Sequence, residues 1–287
     1  MQHKLHKQFK QMIYFPNAKI NIGLFVTEKR PDGFHNIESV FYPVKLNDAL
    51  EMRISQKNAT RLYLSGENIE NTVTDDENNT VLKAFNMLKN DFPQIKHANI
   101  CLDKRIPVFA GLGGGSADAS YAIKLTDYMF NLQLSKQQML AYAAKIGSDC
   151  PFFIENKPQF VYSRGDKMEK INLNLKGLYL VMIKPDINIS TKEAYADVHK
   201  TPAPFDLRKL DVNDINHWKD YVRNDFEVKL FEKYPLLKQI KDTLYNIGAL
   251  YTQMSGSGST VYGIFSSPVD LTQLKLPQDC FSHQEQL

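Results

Sequence analysis

From Gly111 the chain reads Gly111-Leu112-Gly113-Gly114-Gly115-Ser116-Ala117-Asp118-Ala119, after an alternating strand pattern and before a run of strong helix formers. This placement constrains the fold more than the glycines do alone. Without Cβ atoms the backbone can approach a bulky anion and turn several N–H groups toward one point. A helix starting there adds unpaired N–H groups and the equivalent of about half a positive charge, which favours phosphate. Ser116 adds a hydroxyl that could touch phosphate oxygens or Mg²⁺. Taken alone, a glycine cluster reads equally well as a flexible loop ahead of a helix. The strand before it and the helix after it tip the balance toward a phosphate cradle.

Three common nucleotide folds are excluded. A Walker A loop needs a Gly-Lys pair, and the chain has none. The Rossmann pattern fails because Ser116 stands where its last glycine belongs, and the protein-kinase His-Arg-Asp and Asp-Phe-Gly triplets are missing. A net charge of +3 over 287 residues, with 43% hydrophobic and 23% charged residues, fits a soluble globular protein and gives no sign of nucleic-acid binding. No apolar run approaches the roughly 18 residues needed to span a membrane. The three cysteines, Cys101, Cys150 and Cys280, are far apart and form no Cys-x-x-Cys pair, as expected of free thiols in the cytoplasm. Residues Met1 to Gln11 are rich in Lys, Gln and His and lack a signal-peptide core, so they are expected to be a disordered tail, with Met12 as a candidate start. His3 and His6 fit a solvated tail better than a metal site.

Strands are expected over Ala18–Val26, Ile37–Leu46, Ala49–Ile54, Asn99–Arg105, Leu178–Lys184, Leu250–Met254 and Thr260–Phe265. Helices are expected over Asn79–Lys89, Ala117–Asn131, Ser135–Ile146, Ser190–Val198, Tyr221–Lys233 and Pro235–Ile247. Arg30-Pro31-Asp32-Gly33 is a turn signal. The order is not a regular βαβα alternation, so the class is α+β. A division into 12–160 and 161–287 is expected, with the phosphate loop in the first part and the second completing the substrate site.

Beyond these readings, the segment Pro107 to Ala119 resembles the phosphate-binding motif of the galactokinase, homoserine kinase, mevalonate kinase and phosphomevalonate kinase superfamily. Two further motifs occur in the matching order, Pro16-Asn17-Ala18-Lys19-Ile20-Asn21 and Met254-Ser255-Gly256-Ser257-Gly258-Ser259. Together with Arg30-Pro31-Asp32-Gly33-Phe34-His35 they resemble the family acting on 4-diphosphocytidyl-2-C-methyl-D-erythritol. The resemblance runs from Tyr14 to Phe265. It implies a two-lobed kinase with ATP and substrate in a cleft between its lobes, requiring ATP and Mg²⁺ and acting in isoprenoid precursor synthesis. Its partner is then a small cytidine diphosphate-linked methylerythritol, with no nucleic acid and no membrane.

The same resemblance implies residue roles. Lys19 and Asp149 become the catalytic pair: a hydroxyl attacking a γ-phosphoryl group needs orientation and a place for its proton, and a carboxylate supplies both. Pro107, Gly111, Leu112, Gly113, Gly114, Gly115, Ser116 and Ala117 would hold the triphosphate, with Ser116 also a Mg²⁺ ligand and Asn79 near adenine. Asn21, Phe34, His35, Thr191, Tyr195, Gly256, Ser257 and Gly258 would face the substrate, with Phe34 and Tyr195 on opposite faces of the cytosine and His35 at its edge. Phe34 stands where the family usually has Tyr, and Val108-Phe109 makes the loop bulkier ahead of its glycines. Read by themselves, Asp149 is a helix cap, Lys19 a snorkelling strand lysine, Phe34 a core aromatic, Ser255–Ser259 a flexible linker and Cys150 a packed thiol. Only the joint pattern outweighs these readings. The rivals are another small-molecule kinase of the superfamily and a catalytically silent nucleotide-binding protein.

Overall fold

The computed structural model describes residues 11–66, 78–196, 198, 201–274, 277 and 279–287. The first strands are β1 (Gln11–Tyr14), β2 (Asn17–Lys29), β3 (His35–Asn47), β4 (Ala49–Ile54) and β5 (Arg61–Gly66), followed by α1 (Thr80–Asp91) and β6 (Ala98–Lys104). Then come α2 (Gly114–Phe130), α3 (Lys136–Ile146), α4 (Cys150–Glu155), β7 (Gln159–Ser163), β8 (Lys167–Lys170), β9 (Tyr179–Lys184) and α5 (Thr191–Ala196). The chain ends with α6 (Trp218–Tyr221), α7 (Glu227–Lys233), α8 (Pro235–Asn246), β10 (Tyr251–Met254), β11 (Val261–Phe265) and β12 (Phe281–Gln286). Helices and mainly antiparallel sheets are mixed without βαβα alternation, so the α+β class holds.

Two compact units form, and they are interleaved in sequence: Met1–Pro16, Asn47–Arg105 and Gly115–Ile154 make one, and Asn17–Leu46, Ile106–Gly114 and Glu155–Leu287 the other. The last crossing lies near the expected boundary at 160/161, whereas the earlier excursions carry no linker-like composition that could mark them.

In the first unit the sheet order is β1-β4-β6-β5, with β5 parallel to β6 and the other pairs antiparallel. Strand β6 buries every second residue, Ala98, Ile100 and Leu102, against a core that includes Phe85 and Leu88 of α1 and Ile123 and Leu125 of α2. Burying one such side chain contributes about 1.5–3 kcal/mol. The fourth core-facing slot of β6 is Lys104, a charge forced inward by the strand's period of two. Helix α3 begins with the Ser135–Gln138 capping box. Gly147 ends α3 with extended backbone at φ −173°, not with the left-handed turn usual for a terminating glycine.

The second unit contains two antiparallel sheets, ordered β2-β3-β7-β8 and β10-β11-β9-β12. Strand β2 is buried on both faces from Ala18 to Val26, so its polar members Lys19 and Asn21 lie in the interior beside Ile20 and Ile22. One apolar cluster surrounds the fully buried Trp218, whose Nε1 donates to Asp211 O at 3.0 Å.

Several expectations change here. The tail reading lies outside the described residues except at Gln11, which pairs with Arg53 as the first residue of β1. Helix α2 starts at Gly114, three positions before Ala117, because the last two glycines of the motif join its first turn. The helix expected over Tyr221–Lys233 is interrupted: Leu24 N donates to Arg223 O at 2.9 Å and Asp225 N to Leu24 O at 2.8 Å, so β2 competes for this backbone. Helix α5 stops at Ala196. Strands β1, β5, β7, β8 and β12 were not expected; β8 has mostly exposed side chains and offers no alternation to read.

Candidate active site

The glycine loop approaches its own unit through its carbonyl groups. Phe109 O accepts from Ser259 N at 3.1 Å, Ala110 O from Thr260 N at 3.3 Å, and Leu112 O from Lys19 N at 3.0 Å. Gly111 O accepts from the Lys19 ammonium at 3.1 Å and from the Ser255 hydroxyl at 2.9 Å. Four successive carbonyls are thereby engaged by protein donors, which removes negative oxygens from the path of an anion. Gly111 has φ +71°, and a Cβ there would lie 1.9 Å from Ser255 O. The glycine is required by the contact between two turns as well as by its conformation.

Lys19 is only 3% exposed, and Asn21, two residues along β2, is 2% exposed. The Lys19 ammonium donates to Asn21 Oδ1 at 2.5 Å and lies 4.5 Å from the centre of the Phe41 ring. Asn21 Nδ2 donates to Ser39 Oγ at 2.8 Å, Asn21 N to Ser255 Oγ at 3.2 Å, and Tyr262 OH to Asn21 O at 2.8 Å. A buried amide must satisfy its groups in this way or lose roughly 1–3 kcal/mol for each one left unmet. Lys19 is therefore a fixed ammonium in a hydrogen-bonded wall, and no snorkelling lysine. The Ser255–Ser259 segment is likewise a tight turn and no linker: Asn224 Nδ2 donates to Met254 O and Gly256 O, both at 2.8 Å, and Met254 N donates to Glu227 Oε1 at 2.7 Å. Ser257 and Gly258 lie in that turn, with Gly258 N donating to Ser255 O at 2.9 Å.

In the other unit, α2 has no acidic residue in its first turn, as an anion site requires. Gly115 is exposed, and a Cβ on it would meet nothing nearer than Thr80 Oγ1 at 3.8 Å, so space for an approaching group is open. Ser116 and Ala117 occupy this turn, and Pro107 is half-buried ahead of it in the sequence. Asp149 stands immediately before α4, whose first turn is tied back by Phe152 N donating to Asp149 O at 3.2 Å. Cys150 is buried within reach of the Ser116 and Ser120 hydroxyls, and burial pushes its thiol up to about 11. A thiol so placed is packing, not a nucleophile. Asn79 is the N-cap of α1, its Oδ1 accepting from Val81 N at 2.9 Å.

The residues expected at the base lie as follows. Tyr195 stacks on His35, with ring centroids 5.0 Å apart at 18°, and meets Phe226 edge-on at 4.8 Å. Phe34 is 57% exposed beside the turn, with the Arg164 guanidinium 5.3 Å from its ring centre. Tyr195 is thus stacked on His35 where the expectation had it facing Phe34 across a base. Thr191 is exposed at the start of α5, where the Ser190 hydroxyl accepts from Glu193 N.

Sequence reasoning missed the residues that hold these groups. In the second unit they are Ser39, Asn224, Glu227 and Gln253, whose Oε1 accepts from Gly23 N at 2.8 Å and from Tyr262 OH at 3.3 Å. In the first, Lys104 binds Asp48 at 2.5 Å and Asp118 at 2.8 Å, all three buried. Burial raises the Asp118 carboxyl to about 7, against the pull of the Lys104 ammonium. Lys104 precedes the chain's exit from the first unit and Asp118 follows its return, so the pair closes the base of the glycine loop. The available signal was the lysine in a core-facing slot of β6.

Models of the GHMP kinases match twice, the N terminal domain over residues 79–157 and the C terminal over residues 206–278. A Parabacteroides distasonis protein named 4-diphosphocytidyl-2-C-methyl-D-erythritol kinase is 44% identical over 276 residues, covering 96% of this chain and 100% of its own. This chain belongs to the GHMP kinases. A Bacteroides fragilis relative of the same name is 44% identical over 92% of this chain and 95% of its own. Among solved structures, a 4-(cytidine 5'-diphospho)-2C-methyl-D-erythritol kinase matches with a TM-score of 0.72 at 27% identity, over 88% of this chain and 90% of that one. The Methanococcus jannaschii mevalonate kinase shares the fold, with a TM-score of 0.65 at 14% identity, over 98% of this chain and 99% of that one. Among the described residues no helix is long and apolar enough to cross a membrane.

Proposed function

We propose that this kinase transfers the γ-phosphoryl group of ATP to the 2-hydroxyl of 4-diphosphocytidyl-2-C-methyl-D-erythritol, a step in isoprenoid precursor synthesis. The observation that carries the substrate is the 44% identity, along almost the whole chain, to relatives bearing that kinase's name. In the reaction the 2-hydroxyl oxygen forms a bond to the γ-phosphorus while the bond from phosphorus to the bridging oxygen breaks. ADP leaves with the electron pair, and the hydroxyl proton passes to the Asp149 carboxylate. Lys19 offers its ammonium to the charge developing on the transferred group. Its fixed position in the Asn21–Gly111 wall means that little reorganisation is needed at the moment of reaction.

The first turn of α2 and the backbone from Gly111 to Ala117 would hold the triphosphate, with Pro107 and Asn79 toward the adenosine end. The donor set there is hydroxyl and backbone N–H, which fits a Mg²⁺ carried on the nucleotide's own oxygens, with Ser116 as the protein ligand. Mg²⁺ would neutralise phosphate charge and hold the phosphate oxygens in place. Asn21, Thr191 and the Gly256–Gly258 turn would face the erythritol and its diphosphate. The open Phe34 ring and the His35–Tyr195 stack offer aromatic faces to the pyrimidine. Stacking contributes about 1–3 kcal/mol and accepts any base, so His35 and the nearby backbone would supply the choice of cytosine.

The test is ADP release with ATP·Mg²⁺ and either the cytidine-bearing substrate or the free methylerythritol phosphate. Turnover is expected with the first, and loss of at least a hundredfold in kcat/KM with the second. Equal rates would favour another small-molecule kinase activity, and no turnover with either a silent nucleotide-binding protein.

A further inference from the structure

Helix α4 has only six residues, too few to be stable without outside support, and Asp149 is the residue from which it starts. Its carbonyl groups are held from one side by α2. The Ser120 hydroxyl lies 2.7 Å from Cys150 O, and one turn further along α2 the Lys124 ammonium donates to Phe153 O at 2.7 Å. Lys124 is an unusual choice for this task. Burial lowers its ammonium to about 8, and its described partners are a carbonyl and the face of Tyr121, 4.5 Å away, with no carboxylate among the described residues. Holding a desolvated ammonium without a counter-ion costs stability. The gain lies in geometry: the helix whose first turn is the proposed phosphate cradle also fixes the short helix behind the proposed acid.

We propose that Lys124, seconded by Ser120, is a positioning residue that splints α4 to α2 and thereby sets the Asp149 carboxylate relative to the first turn of α2. The inference rests on the role proposed above for Asp149. It makes the two acts of the reaction, holding the phosphate and taking the proton, depend on one rigid helix. A methionine at position 124 keeps the packing stem, removes the half-buried charge and leaves Phe153 O without its donor.

The experiment compares Lys124→Met, Ser120→Ala, Asp149→Asn and the double variant Lys124→Met/Asp149→Asn by ADP release and thermal unfolding at pH 7. Lys124→Met is expected to lower kcat about tenfold, leave KM for ATP within twofold, and leave Tm unchanged or raised. Ser120→Ala is expected to lower kcat about threefold in the same manner, which keeps the test sharp should the methionine variant fail to fold. In the Asp149→Asn background, Lys124→Met should change the residual rate by less than twofold, because the group it positions is gone. The splint is overturned if Lys124→Met retains wild-type kcat, or if its loss persists undiminished beside Asp149→Asn and tracks a falling Tm. Wild-type turnover in Asp149→Asn alone would instead remove the assigned acid, and the splint with it.

Discussion

The two compact units solve the same problem, holding a polar group rigid inside a protein, with different materials. In the first, the base of the glycine loop is held by buried charge, Lys104 between Asp48 and Asp118, and the approach to Asp149 by the half-buried Lys124 on the Phe153 carbonyl. In the second, Lys19 is seated by neutral groups, with Asn21, Ser39, Ser255 and Tyr262 linked in one network. The contrast has physical consequences. Buried charge couples position to pH and desolvation, whereas a neutral network depends on every donor and acceptor being matched. The loop's glycines divide in the same way. Gly111 serves contact within the second unit, while Gly115 leaves space in the first.

The largest expected effect separates those two glycines. Gly111→Ala drives a Cβ into Ser255 O at positive φ and should cost about 3 kcal/mol or more, seen as a large drop in the urea midpoint. Gly115→Ala meets nothing nearer than Thr80 Oγ1 at 3.8 Å and should leave stability within about 0.5 kcal/mol, or raise it slightly through helix propensity, while weakening ATP binding. Equal destabilisation of both would erase the distinction between a glycine needed for packing and one needed for ligand approach.

A second effect tests the charged material itself. The folded protein holds the Asp118 carboxyl up near 7, whereas an unfolded aspartate titrates near 4. Between those values the folded state binds the extra proton, so stability falls as pH rises through the window. Asp118→Asn should remove that slope, flattening the dependence of the unfolding free energy between pH 4 and 7 by up to about 4 kcal/mol. Parallel curves for wild type and variant would show that the cluster does not share a proton, and the two units would then differ in composition without differing in behaviour.

The same contrast explains what the amino-acid order made legible. The glycine loop, the helix opening at Ser135, the alternating strands β4 and β6 and the short strands β10 and β11 follow from local chemistry, and they were readable. Family resemblance pointed to Lys19 and Asp149, but not to what holds them. Lys124 and Asn224 read locally as ordinary surface residues, and the core-facing slot of Lys104 in β6 does not name its partners. Only the closing of distant segments brings two acids to Lys104, or aims Asn224 at the Met254 and Gly256 carbonyls. The break between α6 and α7 was hidden for the same reason, because β2 claims Arg223 and Asp225 by backbone hydrogen bonds. The stack of Tyr195 on His35 is likewise a matter of tertiary placement that spacing along the chain does not encode.

Lys19 and Asp149 are proposed to act together in a single phosphoryl transfer. Steady-state ADP release from Lys19→Met, Asp149→Asn and the double variant tests it most directly. Each single change should lower kcat by about 10²–10⁴-fold, and the double variant should lie within about tenfold of the worse single one, as groups acting as a unit do. Wild-type turnover in either single variant, or losses that simply multiply, would contradict it.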